Sequence, residues 1–128
     1  MASVSFNGIE IADSVALARS FHTRFAGLML IKRLPTGGGQ LLSPCSSVHM
    51  CFMRMALDIV YLSRDYNVLH VERSLKPWRL GAMVKGCRHV LELKAGTAEK
   101  YNIAAGGKIA IRRSIARGEP RRKLASAK

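Results

Sequence analysis

The sequence predicts a mainly β (α+β) fold: a small compact barrel or sandwich of six to seven short strands, with one helix in the N-terminal half and a short helical turn. Two observations predict it. From Gln40 onward the chain breaks into short apolar runs of strand length separated by turn residues, and only one segment, beginning at Ser20, carries a helical period of any length. Many short strands with a single sizeable helix cannot build the alternating units of a parallel α/β sheet, which leaves a barrel or sandwich.

At the N-terminus, in VSFNGIEIADSVALARS, the pairs Val4 and Phe6, Ile9 and Ile11, Val15 and Leu17 alternate with smaller or polar residues around Asn7-Gly8, so this region reads as extended chain about a tight turn. Ser20 can cap a helix whose Phe21, Phe25, Leu28 and Met29 recur on one stripe, and that helix ends before Pro35. LPTGGGQ reads as a flexible connection whose three glycines mark a turn or a close backbone approach. It lacks the lysine-plus-hydroxyl that a phosphate cradle requires, and the segment after it reads as strand. Strands are predicted over 40–42, 47–53, 57–62, 68–75, 87–93 and 108–112. Asp65 and Asn67 supply the turn that makes a hairpin of LDIVYL and VLHVERSL. A loop around Lys76-Pro77-Trp78-Arg79 comes next, then a helical turn near Thr97 to Tyr101, and Gly96, Gly106 and Gly107 read as turn residues needing positive φ.

The 128 residues suffice for one core without a disulfide or metal staple, so a single β-rich domain is expected over 1–111, followed by a basic, disordered tail over 112–128. The formal charge is +13, and residues 112–128 carry seven Lys or Arg against the single acid Glu119. Such an excess attracts polyanions without naming one. The longest uncharged stretch, Leu34 to Met53, is interrupted by Pro35, the glycines and a serine cluster, so no membrane helix and no membrane partner is expected. The start MASVSFNGIEIADS shows neither a basic leader nor an apolar run of export length, which points to the cytoplasm and to Cys45, Cys51 and Cys87 as reduced thiols.

Chemistry concentrates in PCSSVHMCFMRM, Pro44 to Met55. As a strand it would place Cys45, Ser47, His49, Cys51 and Met53 on one face and Val48, Met50 and Phe52 on the other, a segment packed on both sides with soft side chains as filler. His49 and Cys51 lie about 7 Å apart along such a strand, and Cys87 and His89 repeat the spacing, so the four could meet in a tetrahedral zinc site. Their separation by one residue is not a zinc-finger knuckle. Cys45 or Cys51 as a nucleophile with His49 as base is a further option, without an accompanying oxyanion-hole signature. Asp58 interrupts an apolar run, where a carboxylate meets backbone amides or pairs with a base such as Arg54. Trp78 beside Lys76 and Arg79 offers a stacking surface, although a lone aromatic more often plugs a barrel end.

GLM at 27–29, PCSSVHMCFMR at 44–54, LDIVYL at 57–62, LKPWR at 75–79 and LELKAG at 91–96, in that order and spacing, resemble domain of unknown function family 192, small bacterial and archaeal proteins. The resemblance covers about residues 12–111. It implies a mostly β barrel-like or sandwich domain with a helix carrying GLM, and it carries over no established enzymatic activity or cofactor. Cys45, His49, Asp58, Trp78 and Arg79 match the family's motif, whereas Cys51, Cys87 and His89 do not, which weakens the zinc reading. Gly106-Gly107 stands where the family usually has Gly-Asp.

The expected function is a non-enzymatic ligand- or partner-binding module with a polar site on strand ends, formed by Cys45, His49, Arg54, Asp58, Trp78 and Arg79, with no catalytic residue, metal or cofactor. The alternative is nucleic-acid or polyanion binding through the basic tail with Lys76, Arg79 and Lys85. A cysteine/histidine enzyme or zinc site ranks third.

Overall fold

The structure, a computed structural model, describes residues 2–18, 34, 36–45 and 55–113. The helix expected from Ser20, the strand expected over 47–53, and the stretch after 113 lie outside the described residues.

Seven strands form one sheet: β1 (Ala2–Phe6), β2 (Ile9–Ala18), β3 (Gly38–Leu42), β4 (Leu57–Leu62), β5 (Val68–Leu75), β6 (His89–Lys94) and β7 (Ile109–Arg113). Their order across the sheet is β5-β4-β6-β3-β2-β1-β7. Neighbours are antiparallel except β2 and β3, which run parallel from Ser14 opposite Gly38 to Ala18 opposite Leu42. The two edge strands meet at one corner: Asn67 bridges Lys108, and the Val68 amide donates to the Gly107 carbonyl at 2.8 Å. The sheet is therefore curled into a half-barrel, as the short-strand pattern predicts, and one corner needs no edge protection.

Local chemistry explains the turns. Asn7 and Gly8 both take positive φ, 49° and 88°, as a two-residue hairpin turn matched to strand twist requires, and the Asn7 side-chain oxygen accepts from the Lys108 amide at 2.9 Å. The glycines 37 to 39 are not a flexible connection. Gly37 is the turn, with φ of 84°, while Gly38 and Gly39 are already strand β3, and a Cβ on Gly39 would stand 2.5 Å from the Glu92 carbonyl oxygen. Both readings of these glycines hold, the turn at Gly37 and the close approach at Gly39. Gly106 takes positive φ as expected, but Gly107 does not; it is small because the Phe6 ring lies where its Cβ would be, 2.1 Å from Cε1.

β4 is buried along its whole length, which is why it reads as an apolar run broken only by Asp58. Its Val60 and Leu62 join a core with Val4, Ile11, Leu91 and Ile109, closed by Ala98 of the helical turn α1 (Thr97–Lys100) and by Ile103. Leu57, Ile59 and Tyr61 point the other way, into a second cluster with Leu42 and Val90 against which Cys45, Ala82, Val84 and Cys87 pack. Each fully buried side chain of this kind contributes about 1.5–3 kcal/mol. The second cluster fastens the segment between β5 and β6 onto the sheet.

Candidate functional site

That segment, residues 76–88, is the longest described stretch without regular structure, and both of its ends are pinned by buried polar groups. At its start stands Asp58, fully buried within β4. Its Oδ1 accepts the Ser74 amide at 2.8 Å, and its Oδ2 accepts the amides of Gly96 at 3.0 Å and Ala98 at 2.8 Å. One carboxylate thus ties the end of β5 to the start of α1. Three short bonds to an ionised acceptor are among the stronger polar contacts a small domain can make. Ser74 itself takes a positive φ of 51°, turning the chain out of the sheet directly before the loop.

The loop opens with a tight turn in which the Arg79 amide donates to the Lys76 carbonyl at 3.3 Å. Pro77 sits where a fixed negative φ is wanted. Trp78 follows with φ of 68°, the position at which a type II turn ordinarily takes glycine. The residue is 60% exposed. Further along, the Ala82 amide donates to both the Tyr61 hydroxyl and Glu72 Oε1, each at 3.0 Å, while the Tyr61 hydroxyl donates to the same Glu72 oxygen. Burial, reinforced by the Glu72 carboxylate, pushes the Tyr61 phenol well above its usual pKa, so it stays a donor at any physiological pH. The Arg88 amide then donates to the Leu62 carbonyl at 2.8 Å, and the chain re-enters the sheet as β6.

Beside the loop lies an open groove of about 430 Å³ lined by Glu72, Arg73, Ser74, Leu75, Lys76 and Arg79. Glu72, half-buried, accepts from Tyr61 and Ala82, and the groove sets three exposed cations, Arg73, Lys76 and Arg79, against this one acid. No further acid occurs in the sequence between Glu72 and Glu92.

A second polar cluster lies at the start of β6. His89 is buried, with Nδ1 2.6 Å from Ser43 Oγ and Nε2 3.2 Å from the Arg64 carbonyl, and its ring lies parallel to that of Tyr66 with centroids 4.2 Å apart. A carbonyl only accepts, so Nε2 carries the proton and Nδ1 accepts from the Ser43 hydroxyl. This histidine is held neutral, its pKa lowered mainly by burial and also by the Arg88 charge, against the opposing pull of the Arg64 carbonyl. The Cys87 thiol points at the His89 and Cys45 carbonyls, at 3.3 and 3.7 Å, and burial raises its pKa. Both nitrogens of His89 are therefore engaged, and Cys87 is kept a thiol; His49 and Cys51, the other two residues of the tetrahedral reading, lie outside the described residues. Among the described residues no three His, Cys, Asp or Glu converge as metal ligands.

The sequence-proposed site residues thus separate. Trp78 and Arg79 are exposed on the loop, Asp58 lies beneath it as a structural acceptor of backbone amides, and Cys45 packs half-buried on the second cluster. His49 and Arg54 lie outside the described residues. The sequence pattern alone does not single out Arg73, Glu72 or Tyr61. Arg73 carries a signal, being an exposed cation two residues from a predicted strand end; the Tyr61–Glu72 bond carries none, because it depends on the β4–β5 register.

Fold and site together define a small curled β half-barrel that displays a pinned basic loop. The chain belongs to the DUF192 family, an uncharacterized ACR family, whose model matches residues 3–111. It is 31% identical over 113 residues to a UPF0127 protein of Pyrococcus furiosus, covering 84% of this chain and 95% of that one. It is likewise 31% identical over 100 residues to a UPF0127 protein of Pyrococcus horikoshii, covering 74% and 84%. The crystal structure of a protein of unknown function from Novosphingobium aromaticivorans superimposes with a TM-score of 0.70 at 22% identity, over 84% of this chain and 81% of that one. A putative transcription regulator from Sinorhizobium meliloti gives 0.69 at 21%, over 85% and 92%. These two likenesses show the fold. Among the described residues no helix is long and apolar enough to cross a membrane.

Proposed function

We propose that this protein is a non-enzymatic binding module that takes an anionic ligand or partner in the groove formed by Arg73, Lys76 and Arg79, with Trp78 beside it. The observation that carries the reading is the grouping of three exposed cations around one groove, next to an exposed indole, on a loop fixed by Asp58 and by the Tyr61–Glu72 pair. The backbone that carries these cations is bonded at Ser74, Arg79 and Ala82, so little backbone ordering is needed on binding. An indole next to them adds stacking or apolar contact. Asp58 serves the site by shaping the loop and makes no contact with the ligand.

Trp78 is the chain's single tryptophan, so its emission reports on the loop alone. Titration with inorganic polyphosphate should change that emission. Replacing Arg73, Lys76 and Arg79 together by Ala should weaken binding at least about tenfold and flatten the dependence of log Kd on log salt by about 2, since each phosphate contact contributes about 0.7–0.9 to that slope. Deleting residues 114–128 should leave the emission change in place. A triple variant that binds like the parent, or an emission change that disappears with the tail, would overturn the reading.

A further inference from the structure

The loop carries more apolar surface than an anion needs. Trp78, Leu80 and Met83 are 60%, 75% and 85% exposed, three of the five large hydrophobic residues found exposed among those described, and they fall within six residues of one another. The same stretch holds five cations, Arg73, Lys76, Arg79, Lys85 and Arg88, and no acid. The backbone is pulled inward at Ser74, Ala82 and Arg88, so the parts facing outward are the apolar and cationic side chains between those points. A polyphosphate or nucleic-acid backbone would use the cations and the indole, but Leu80 and Met83 would find no apolar partner on it. A bilayer rich in anionic lipid offers both partners at matching depths: headgroup phosphates for the cations, and the acyl boundary for Leu80, Met83 and the indole, which favours the interface.

We infer that residues 73–88 dock peripherally on anionic lipid bilayers, with Leu80, Met83 and Trp78 entering the acyl boundary and the flanking cations contacting lipid phosphates. This rests on the anion-binding reading above and names the anion. It departs from the expectation of no membrane partner, which rests on the lack of a membrane helix over the longest uncharged stretch; this contact needs only a loop tip.

The test uses the full chain with vesicles of phosphatidylcholine alone or containing about 30% phosphatidylglycerol, a fraction giving a strongly negative surface. The protein should cosediment with the anionic vesicles only, Trp78 emission should shift to shorter wavelength, and lipid brominated high on the acyl chain should quench it. Leu80→Gln combined with Met83→Gln, which changes no charge, should lower vesicle affinity at least about tenfold, the scale set by exposing two buried apolar side chains, while leaving polyphosphate binding within about twofold. Both positions lie on the exposed loop, and an unchanged melting temperature verifies folding; if it falls, quenching of the parent protein decides instead. Polyphosphate binding without vesicle binding sinks the lipid inference and leaves the anion groove standing. Vesicle binding without quenching shows adsorption by the basic tail and also sinks it. Binding to neither removes both.

Discussion

Asp58 is the residue on which the loop depends. Its charge is fully buried, and its compensation is three backbone amides from two separate elements. Asp58→Ala would leave those donors without an acceptor, at about 1–3 kcal/mol for each one that stays unsatisfied. We expect a total loss of about 3–5 kcal/mol in denaturant unfolding; a loss below about 1 kcal/mol would mean that water replaces the carboxylate. His89 makes a different prediction. Its folded pKa lies below the ordinary value of 6.5, so above that pH both folded and unfolded chains are neutral there and the full stability is present. As pH falls below 6.5 the unfolded chain takes up a proton that the folded chain refuses, and stability declines until the folded pKa is passed. Replacing His89 by Gln should remove that part of the decline, measured as the difference in unfolding midpoint between pH 7.5 and pH 5; an unchanged difference would place the titration elsewhere.

At the scale of elements, β4 and β5 are legible to the residue, because an apolar run broken only by Asp58, a polar turn and a second alternating run leave few ways to place a hairpin. The sequence pattern places β3 only over 40–42, because glycine carries no pattern. Gly38 and Gly39 are strand for a reason outside their own segment, the passage of the Glu92 carbonyl where a Cβ would be. Gly39→Ala should therefore destabilise the fold by about 1–3 kcal/mol, the scale of overpacking in a tight site. Gly8, whose Cβ would meet nothing within 4 Å, is a contrast: replacement by Asn, which tolerates its positive φ, should shift the midpoint by less than about 1 kcal/mol. Equal effects at the two glycines would contradict the close-approach explanation. The site is partly legible in the same sense. Lys-Pro-Trp-Arg announces a loop with exposed chemistry, and Asp58 announces an acceptor of amides. The groove does not show in the sequence, since Arg73 belongs to the strand and Lys76 and Arg79 to the turn, and only the turn geometry at Ser74 and Trp78 brings them together.

For the whole molecule, a curled sheet whose edge strands join at Asn67 and Lys108 gives the loop a fixed base, and the excess of cations gives it long-range attraction for anions. Two parts of the chain share that attraction: the loop, at 73–88, and the five Lys or Arg of residues 114–128, since Arg112 and Arg113 belong to β7. In the proposed reading the loop is the part that holds the anion, because it sets its cations beside the chain's single indole on backbone bonded at Ser74 and Ala82. An amide-resolved NMR titration of the full chain with inorganic polyphosphate separates them most directly. Saturable shifts centred on residues 73–79, with Ser74 and the Trp78 indole among the largest, are the predicted result. Shifts confined to residues 114–128, with 73–79 unmoved at saturation, would contradict the assignment of the loop as the binding surface.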